Sequence, residues 1–225
     1  MKLKKWLRLA PPPETWAPLA ASVLLNILVY NGGRLVTAGR VHRSLAVPID
    51  AKVPFVPAMV AFYVLAYPYW WIGFLKIARG ERKGAFEALA GEQIAKLICL
   101  ACFLLLPTAI ERPTPVGNGP AEQVLRAIYR RDAPDMLFPS IHCLESWFCF
   151  RGAQRAHAGG RGWRRFSFLF SLGVFASTVM VRQHVLVDIA GGVAAAELGL
   201  AISRRTGAGR LWERVWTRWK ERNPK

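Results

Sequence analysis

The chain has 225 residues, 53% of them hydrophobic, and its 31 Lys and Arg against 14 Asp and Glu give a formal net charge of +17. This apolar content is high for a soluble domain, and it excludes a disordered chain. The apolar residues lie in long runs with the basic residues between them. That pattern is typical of an integral membrane protein and argues against a nucleic-acid partner. The length fits a single domain over residues 1–225.

Six apolar stretches predict an all-α, polytopic membrane protein built as a bundle of six transmembrane helices. A helix needs about 20 mostly apolar residues to cross a bilayer. The first three stretches meet this length best, whereas the last three are shorter and contain polar residues. The predicted spans are residues 16–35, 53–75, 94–110, 138–150, 166–181 and 185–202.

The distribution of basic residues predicts the orientation of this bundle. If the N-terminus is cytoplasmic, the inner segments carry 21 of the 31 Lys and Arg and the outer segments carry nine, with Lys96 inside the third stretch. Short cytoplasmic loops collect Lys and Arg. Both termini are therefore expected in the cytoplasm of a multi-pass plasma or inner-membrane protein.

The C-terminal tail, residues 204–225, is basic and rich in tryptophan. Trp212, Trp216 and Trp219 have the spacing of one helix face, and Arg214 and Arg218 lie between them. This pattern predicts an amphipathic helix on the cytoplasmic membrane surface. A helix packed against the bundle itself is an equally good interpretation.

Ionisable residues near membrane depth mark candidate functional sites, and three groups of them fall on the predicted outer side. They are residues 111–113, 138–142 and 182–188. Two of the four histidines, His142 and His184, belong to these groups. Asp188 follows His184 by four residues, so on one helix face its carboxylate can orient the imidazole and leave the other ring nitrogen as nucleophile or base.

Two other interpretations of the His184 and Asp188 pair are a structural hydrogen bond and half of a metal site. A metal site needs further His or carboxylate ligands at suitable spacing, and this side of the chain offers none. Cys99 and Cys102 lie within an apolar run, where packing is the expected role of a free cysteine. We therefore predict no metal.

Ser140 precedes an apolar run and follows a proline, which predicts a helix cap. The same helix start also offers an anion free backbone N–H groups. Arg112 and Arg182 add planar guanidinium groups suited to phosphate. Together with His142, His184 and Asp188 these residues suit a phosphate ester: one histidine attacks phosphorus and the other protonates the leaving oxygen.

These residues resemble the motifs of the type-2 phosphatidic acid phosphatase (PAP2) superfamily, which has three. The first, Lys-x6-Arg-Pro, is reduced to Arg112 and Pro113, with Leu105 at the lysine position. The second, Pro-Ser-Gly-His, occurs as Pro-Ser-Ile-His at residues 139–142.

The third motif, Ser-Arg-x5-His-x3-Asp, occurs with one replacement. Ser177 is followed by Thr178 where the family has arginine, and His184 and Asp188 have the family's spacing. Arg182, two residues before the histidine, is the candidate for the missing positive charge.

The departures resemble the branch that contains inositol phosphorylceramide synthase and sphingomyelin synthase. That branch has Phe-Pro-Ser-x-His, matched by residues 138–142, and a basic residue followed by Gln-His, matched by residues 182–184. Residues 50–63 also resemble the branch's entry to its second helix. The likeness spans residues 50–195 and implies a PAP2-type core at about residues 50–203.

The resemblance implies a metal-independent reaction with no cofactor and a lipid phosphate as substrate. His184 would form a phosphohistidine, Asp188 would orient it, and His142 would act as general acid and then as base. The phosphate would be bound by Arg112, Ser140 and Arg182. We predict a lipid phosphatase; the alternatives are transfer of a phosphoryl or phosphoalcohol group to a lipid hydroxyl and a non-enzymatic transporter or scaffold.

Overall fold

The computed structural model describes residues 10–223, so the basic N-terminal positions 2–8 and Lys225, used above for orientation, lie outside the described residues. Within residues 10–223 the chain forms eight main helical segments, the short 3-10 helices Pro48–Lys52 and Pro57–Met59, and two isolated β-bridges, with no strand. This confirms the all-α class. The segments are α1 (Pro13–Thr37), α2 (Val60–Ala78), α3 (Arg82–Leu105), α4 (Pro120–Arg131), α5 (Ile141–Arg155), α6 (Gly160–Met180), α7 (Leu186–Thr206) and α8 (Gly209–Arg222).

Four helical segments in the described part of the chain are long and apolar enough to cross a membrane: Pro13–Thr37, Pro57–Ala78, Arg82–Leu105 and Leu186–Thr206. They support a membrane protein. The other two predicted spans correspond to α5, which has only 15 residues, and α6, which begins among Arg161, Arg164 and Arg165. A six-span arrangement therefore stays a prediction.

The second and third predicted spans differ most from the helices in their limits. The second was expected from residue 53, but α2 begins at Val60 because Pro54 and Pro57 hold the preceding backbone in extended and 3-10 conformations. The third was expected over residues 94–110, whereas α3 covers Arg82–Leu105. Its first half was missed because residues 82–93 contain four charged side chains, which lower their mean hydropathy.

Helix α1 contains a π-helical turn, Leu28–Gly32, between α-helical Trp16–Ile27 and Gly33–Thr37. Such turns often occur at functional sites. Here the turn contains Tyr30, which lines the cavity described below together with Asn26 from the preceding helix.

Helices α3 and α7 pack closely because small residues line their contact. A Cβ at Gly199 would lie 2.8 Å from the Cβ of Ala95, and one at Gly91 would lie 3.0 Å from the Cα of Leu200. Close backbone approach through small residues is characteristic of helix pairs in membranes. This contact fixes the position of α7, whose first turn carries Asp188.

The loops that connect the helices lie at the two opposite ends of the bundle. At one end, Glu81 donates its backbone N–H to the Ala156 carbonyl at 2.7 Å, which joins the α2–α3 and α5–α6 turns. At the other end, Tyr129 of α4 donates to the Val181 carbonyl at 2.6 Å. All three predicted outer groups, residues 111–113, 138–142 and 182–188, therefore lie at the α4 end of the bundle.

Helix α8 combines features of both interpretations of the C-terminal tail. Trp212 donates its indole N–H to Gln93 Oε1 of α3 at 3.1 Å, so one side packs on the bundle. Trp216 and Trp219 stack with ring centroids 5.0 Å apart, and Trp219 is 53% exposed. Contact of this exposed side with a membrane surface stays a prediction.

Candidate active site

A cavity of about 630 Å³ lies among α1, α2, α4, α5 and the α6–α7 turn. This volume is typical of a small-molecule site. Both His142 and His184 line it, with aromatic residues from α1 and α2 on other walls. The cavity therefore unites two of the three predicted outer groups.

His184 and Asp188 form the contact that their spacing predicts. His184 Nδ1 lies 3.2 Å from Asp188 Oδ2, and the two residues are 8% and 0% exposed. The same Asp188 oxygen accepts the Val185 backbone N–H at 3.0 Å, which fixes the carboxylate at the start of α7. Because Nδ1 is engaged, Nε2 is the ring nitrogen left for chemistry.

The turn before α7 is held from two sides. The Thr178 carbonyl accepts the backbone N–H groups of both Gln183 and His184, at 2.9 and 3.0 Å. Asp50, in the α1–α2 connection, accepts the Leu186 N–H through Oδ1 at 2.8 Å. His184 is therefore positioned by backbone contacts that do not depend on a ligand.

His142 lies in an aromatic surrounding that its motif did not predict. Its ring stacks on Tyr63 at 4.1 Å between centroids, and Trp70 and Tyr67 present edges at 5.0 and 5.6 Å. Its Nε2 atom is buried and has no hydrogen-bond partner among the described residues. Packing therefore fixes the ring and leaves one nitrogen unpaired.

The two histidines are close enough to act on one substrate group. Their ring centroids are 6.2 Å apart and both rings line the same cavity. The Ser140 backbone N–H donates to the Asp188 carbonyl at 3.1 Å, which ties the start of α5 to the start of α7. The relative position of His142 and His184 thus follows from a direct link between their helices.

Ser140 acts as a helix cap: it is fully buried, and its hydroxyl accepts the Cys143 backbone N–H at 3.3 Å. Arg182, which has a positive φ of 52°, points its guanidinium at the carbonyls of Asp50 and Val53, at 2.9 and 2.7 Å. Neither residue lines the cavity. Their predicted contact with phosphate stays a prediction.

Arg112 is buried beside the cavity and is also engaged. Its guanidinium donates to the Asp132 carbonyl at 2.5 Å and to the side chain of Gln183, and it lies 4.9 Å from the centroid of the Tyr129 ring. Burial raises the pKa of Tyr129 to about 12, so this phenol stays a neutral donor. Arg112 contacts the site through Gln183, which does line the cavity.

An ionic cluster on the cavity wall was missed at the sequence level. Arg34 pairs with Asp135 at 2.7 Å and with Asp132 at 3.4 Å, and Tyr30 donates to Asp132. Arg131 also lines the cavity and is exposed, and its side chain has no hydrogen bond or ion pair within residues 10–223. These residues belong to none of the three motifs, and about one hundred positions separate Arg34 from its partners.

Groups of three or more His, Cys, Asp or Glu side chains placed to hold a metal ion are absent from the described part of the chain. No protein-family model, curated protein or solved structure matches the chain. The PAP2 resemblance therefore stays a prediction, and the assignment of function depends on the geometry of the cavity.

Proposed function

We propose that the chain is a membrane lipid phosphatase that hydrolyses a phosphate ester through a phosphohistidine on His184. The observation that carries the proposal is the convergence of the His184–Asp188 pair and the unpaired His142 on one cavity of an apolar helical bundle. A scaffold histidine gains nothing from a buried nitrogen without a partner, whereas a group that exchanges a proton with substrate requires one.

In the first step, His184 Nε2 attacks phosphorus while its Nδ1–H is held by the Asp188 carboxylate. The bond between phosphorus and the lipid oxygen breaks as His142 gives that oxygen a proton. The products are the lipid alcohol and a phosphohistidine, with His142 now neutral.

In the second step, a water molecule attacks phosphorus and gives its proton to His142. The P–N bond breaks, inorganic phosphate leaves, and both histidines return to their starting states. A lipid hydroxyl in place of water would give the transferase reaction by the same steps. Exclusion of water from the cavity decides between the two acceptors.

The charge balance of the cavity favours an anionic substrate. The carboxylates of Asp132 and Asp135 are compensated by Arg34, and Asp132 lies 3.9 Å from Arg112 as well. Arg131 then remains as an uncompensated cation on the wall. The start of α5 at Ile141 also lines the cavity, and a helix N-terminus attracts anions.

Arg131 is accordingly expected to bind the substrate phosphate before the chemical step. We expect Arg131→Gln to raise KM about 10-fold or more with little change in kcat, because a charge-assisted hydrogen bond is lost in ground and transition states alike. Arg131→Lys should recover part of the affinity. Arg130→Gln is the matched control, since Arg130 is exposed on the same helix but does not line the cavity; equal effects of the two Gln variants would contradict this role.

Asp188 is expected to act as a positioning residue. We expect Asp188→Asn to lower kcat roughly 10³–10⁴-fold with KM nearly unchanged, because the amide cannot hold the Nδ1–H tautomer of His184. Asp50→Asn is the matched control: Asp50 is a buried aspartate that caps the same helix at Leu186 without contacting the histidine. A comparable loss of kcat in Asp188→Asn and Asp50→Asn, at equal thermal stability, would contradict the positioning role and indicate that Asp188 only caps the helix.

The decisive assay for the reaction uses purified protein with phosphatidate in mixed micelles, with and without diacylglycerol or ceramide as acceptor. Products are followed by mass spectrometry, and His184→Ala is the control. Inorganic phosphate released only by the wild type supports the phosphatase. A new phospholipid formed at the expense of the acceptor supports the transferase, and the absence of any His184-dependent product across a panel of phospholipids contradicts both.

A further inference from the structure

A second group of ionisable residues is buried within the bundle, away from the cavity. Glu92 and Lys96 of α3 and Glu145 of α5 are 0%, 3% and 4% exposed. Lys96 pairs with Glu92 within its own helix and with Glu145 Oε1 at 2.8 Å. None of the three lines the cavity. Ionisable residues at this depth are expensive and mark function more often than packing.

The ammonium of Lys96 is surrounded by three acceptor groups of the bundle. It forms ion pairs with Glu92 and Glu145 and donates to the Ser22 backbone carbonyl at 2.9 Å. The Ser22 hydroxyl donates to Glu92 Oε2 at 2.5 Å, and Glu92 Oε1 is in an ion pair with Lys96 but accepts no hydrogen bond within residues 10–223. Glu145 Oε2 is buried and has no hydrogen-bond partner among the described residues.

The group carries two carboxyls for one ammonium, so with all three side chains ionised it would hold a net charge of −1. The next basic residue along α5, Arg151, cannot compensate it, because Arg151 pairs with Glu197 at 2.5 Å. The thiols of Cys99 and Cys149 also interact electrostatically with these carboxyl groups. An unpaired charge in a low-dielectric interior is costly, and a buried acid avoids that cost by taking up a proton.

We propose that Glu92, Lys96 and Glu145 form a proton-binding site, in which the two carboxyl groups share one exchangeable proton at neutral pH. The site then contains one ammonium, one carboxylate and one carboxylic acid, and it is neutral. The proton belongs to the pair of carboxyls and not to either alone. This inference does not depend on the proposed phosphatase activity.

The number of protonated carboxyl groups in this site can be tested by infrared spectroscopy of the full-length protein in lipid nanodiscs at neutral pH. A carboxylic acid has a C=O stretch that an ionised carboxylate lacks, and an exchangeable proton shifts that band in D2O. We expect the band of one such acid to be lost in both Glu145→Gln and Glu92→Gln, because either substitution leaves a neutral pair of one ammonium and one carboxylate.

Lys96→Met should have the opposite effect: with no ammonium left, both carboxyls become protonated and the band grows about twofold. Glu197→Gln is the matched control, since Glu197 is half-buried and bound to Arg151, and it should leave the band unchanged. A wild-type spectrum identical in this region to that of Glu145→Gln would overturn the proposal, as would persistence of the band in both Gln variants. The two Gln variants are isosteric, so the test does not depend on Lys96→Met folding.

Discussion

Replacement of His184 by alanine is expected to lower phosphate release by roughly 10⁴–10⁶-fold, the scale for loss of a covalent nucleophile. The loss should fall on kcat, because no phosphoenzyme can form, while binding of the lipid substrate persists. Initial rates with phosphatidate in mixed micelles give kcat, and a direct binding measurement gives the affinity for the lipid substrate, so the two effects can be separated.

The variant should fold, because the turn that contains His184 is held by its backbone. The Thr178 carbonyl accepts the amides of residues 183 and 184, and Asp50 holds the amide of Leu186. A thermal transition close to that of the wild type would verify this. Turnover near the wild-type rate in purified His184→Ala would contradict the phosphohistidine mechanism.

Replacement of His142 by alanine is expected to leave a weak enzyme, with kcat lowered roughly 10²–10⁴-fold, the usual worth of a general acid. The defect in kcat/KM, which reports formation of the phosphohistidine, should shrink when the leaving group needs no proton, whereas kcat stays low because the second step still lacks its base. Wild type and variant are therefore compared on phosphatidate and on a p-nitrophenyl phosphate ester, whose phenolate leaves unassisted.

The aromatic contacts of His142 require a control for packing. Tyr63 stacks on this ring and lines the cavity, so Tyr63→Phe removes only the hydroxyl and leaves the stack in place. This variant should stay within a few-fold of the wild type on both substrates. An equal defect of His142→Ala in kcat/KM on both leaving groups would assign His142 a packing role in place of proton transfer to the leaving group.

The apolar helices were predictable from composition, and their limits less so. Hydropathy located the runs within α1, α2, α3 and α7, all four of which are long and apolar enough to span a membrane. It missed the first half of α3 because residues 82–93 carry four charged side chains, which lower their mean hydropathy. Two of these charges, Glu87 and Glu92, are paired with Arg155 and Lys96 in the fold, which a hydropathy window does not detect. Prolines at residues 54 and 57 delayed the start of α2 for a local steric reason that the sequence does contain.

In the candidate site, contacts between residues close in sequence were predictable, whereas contacts between distant segments were not. The His184–Asp188 contact follows from a four-residue spacing, and Ser140 as a helix cap follows from its neighbours. The direction of the Arg182 side chain does not follow from the sequence, because the two carbonyls that it contacts belong to a loop about 130 residues away.

The aromatic residues around His142 could have been identified from their spacing in the sequence. Tyr63, Tyr67 and Trp70 have the i, i+4, i+7 spacing of one helix face, but in an apolar helix that spacing equally predicts core packing. The pairing of Arg34 with Asp132 and Asp135 had no such signal, since it joins α1 to the loop before α5. Long-range charge pairing is therefore the part of the cavity that only the fold reveals.

The covalent intermediate is the most direct test of the account. Purified protein is mixed with phosphatidate, quenched in alkali because phosphohistidine is labile in acid, and digested for mass spectrometry. We predict one phosphoryl group on the peptide that contains His184, absent in His184→Ala and accumulated in His142→Ala when the p-nitrophenyl ester is the donor. A phosphoryl group on another residue, or turnover with no phosphoenzyme in any variant, would contradict it.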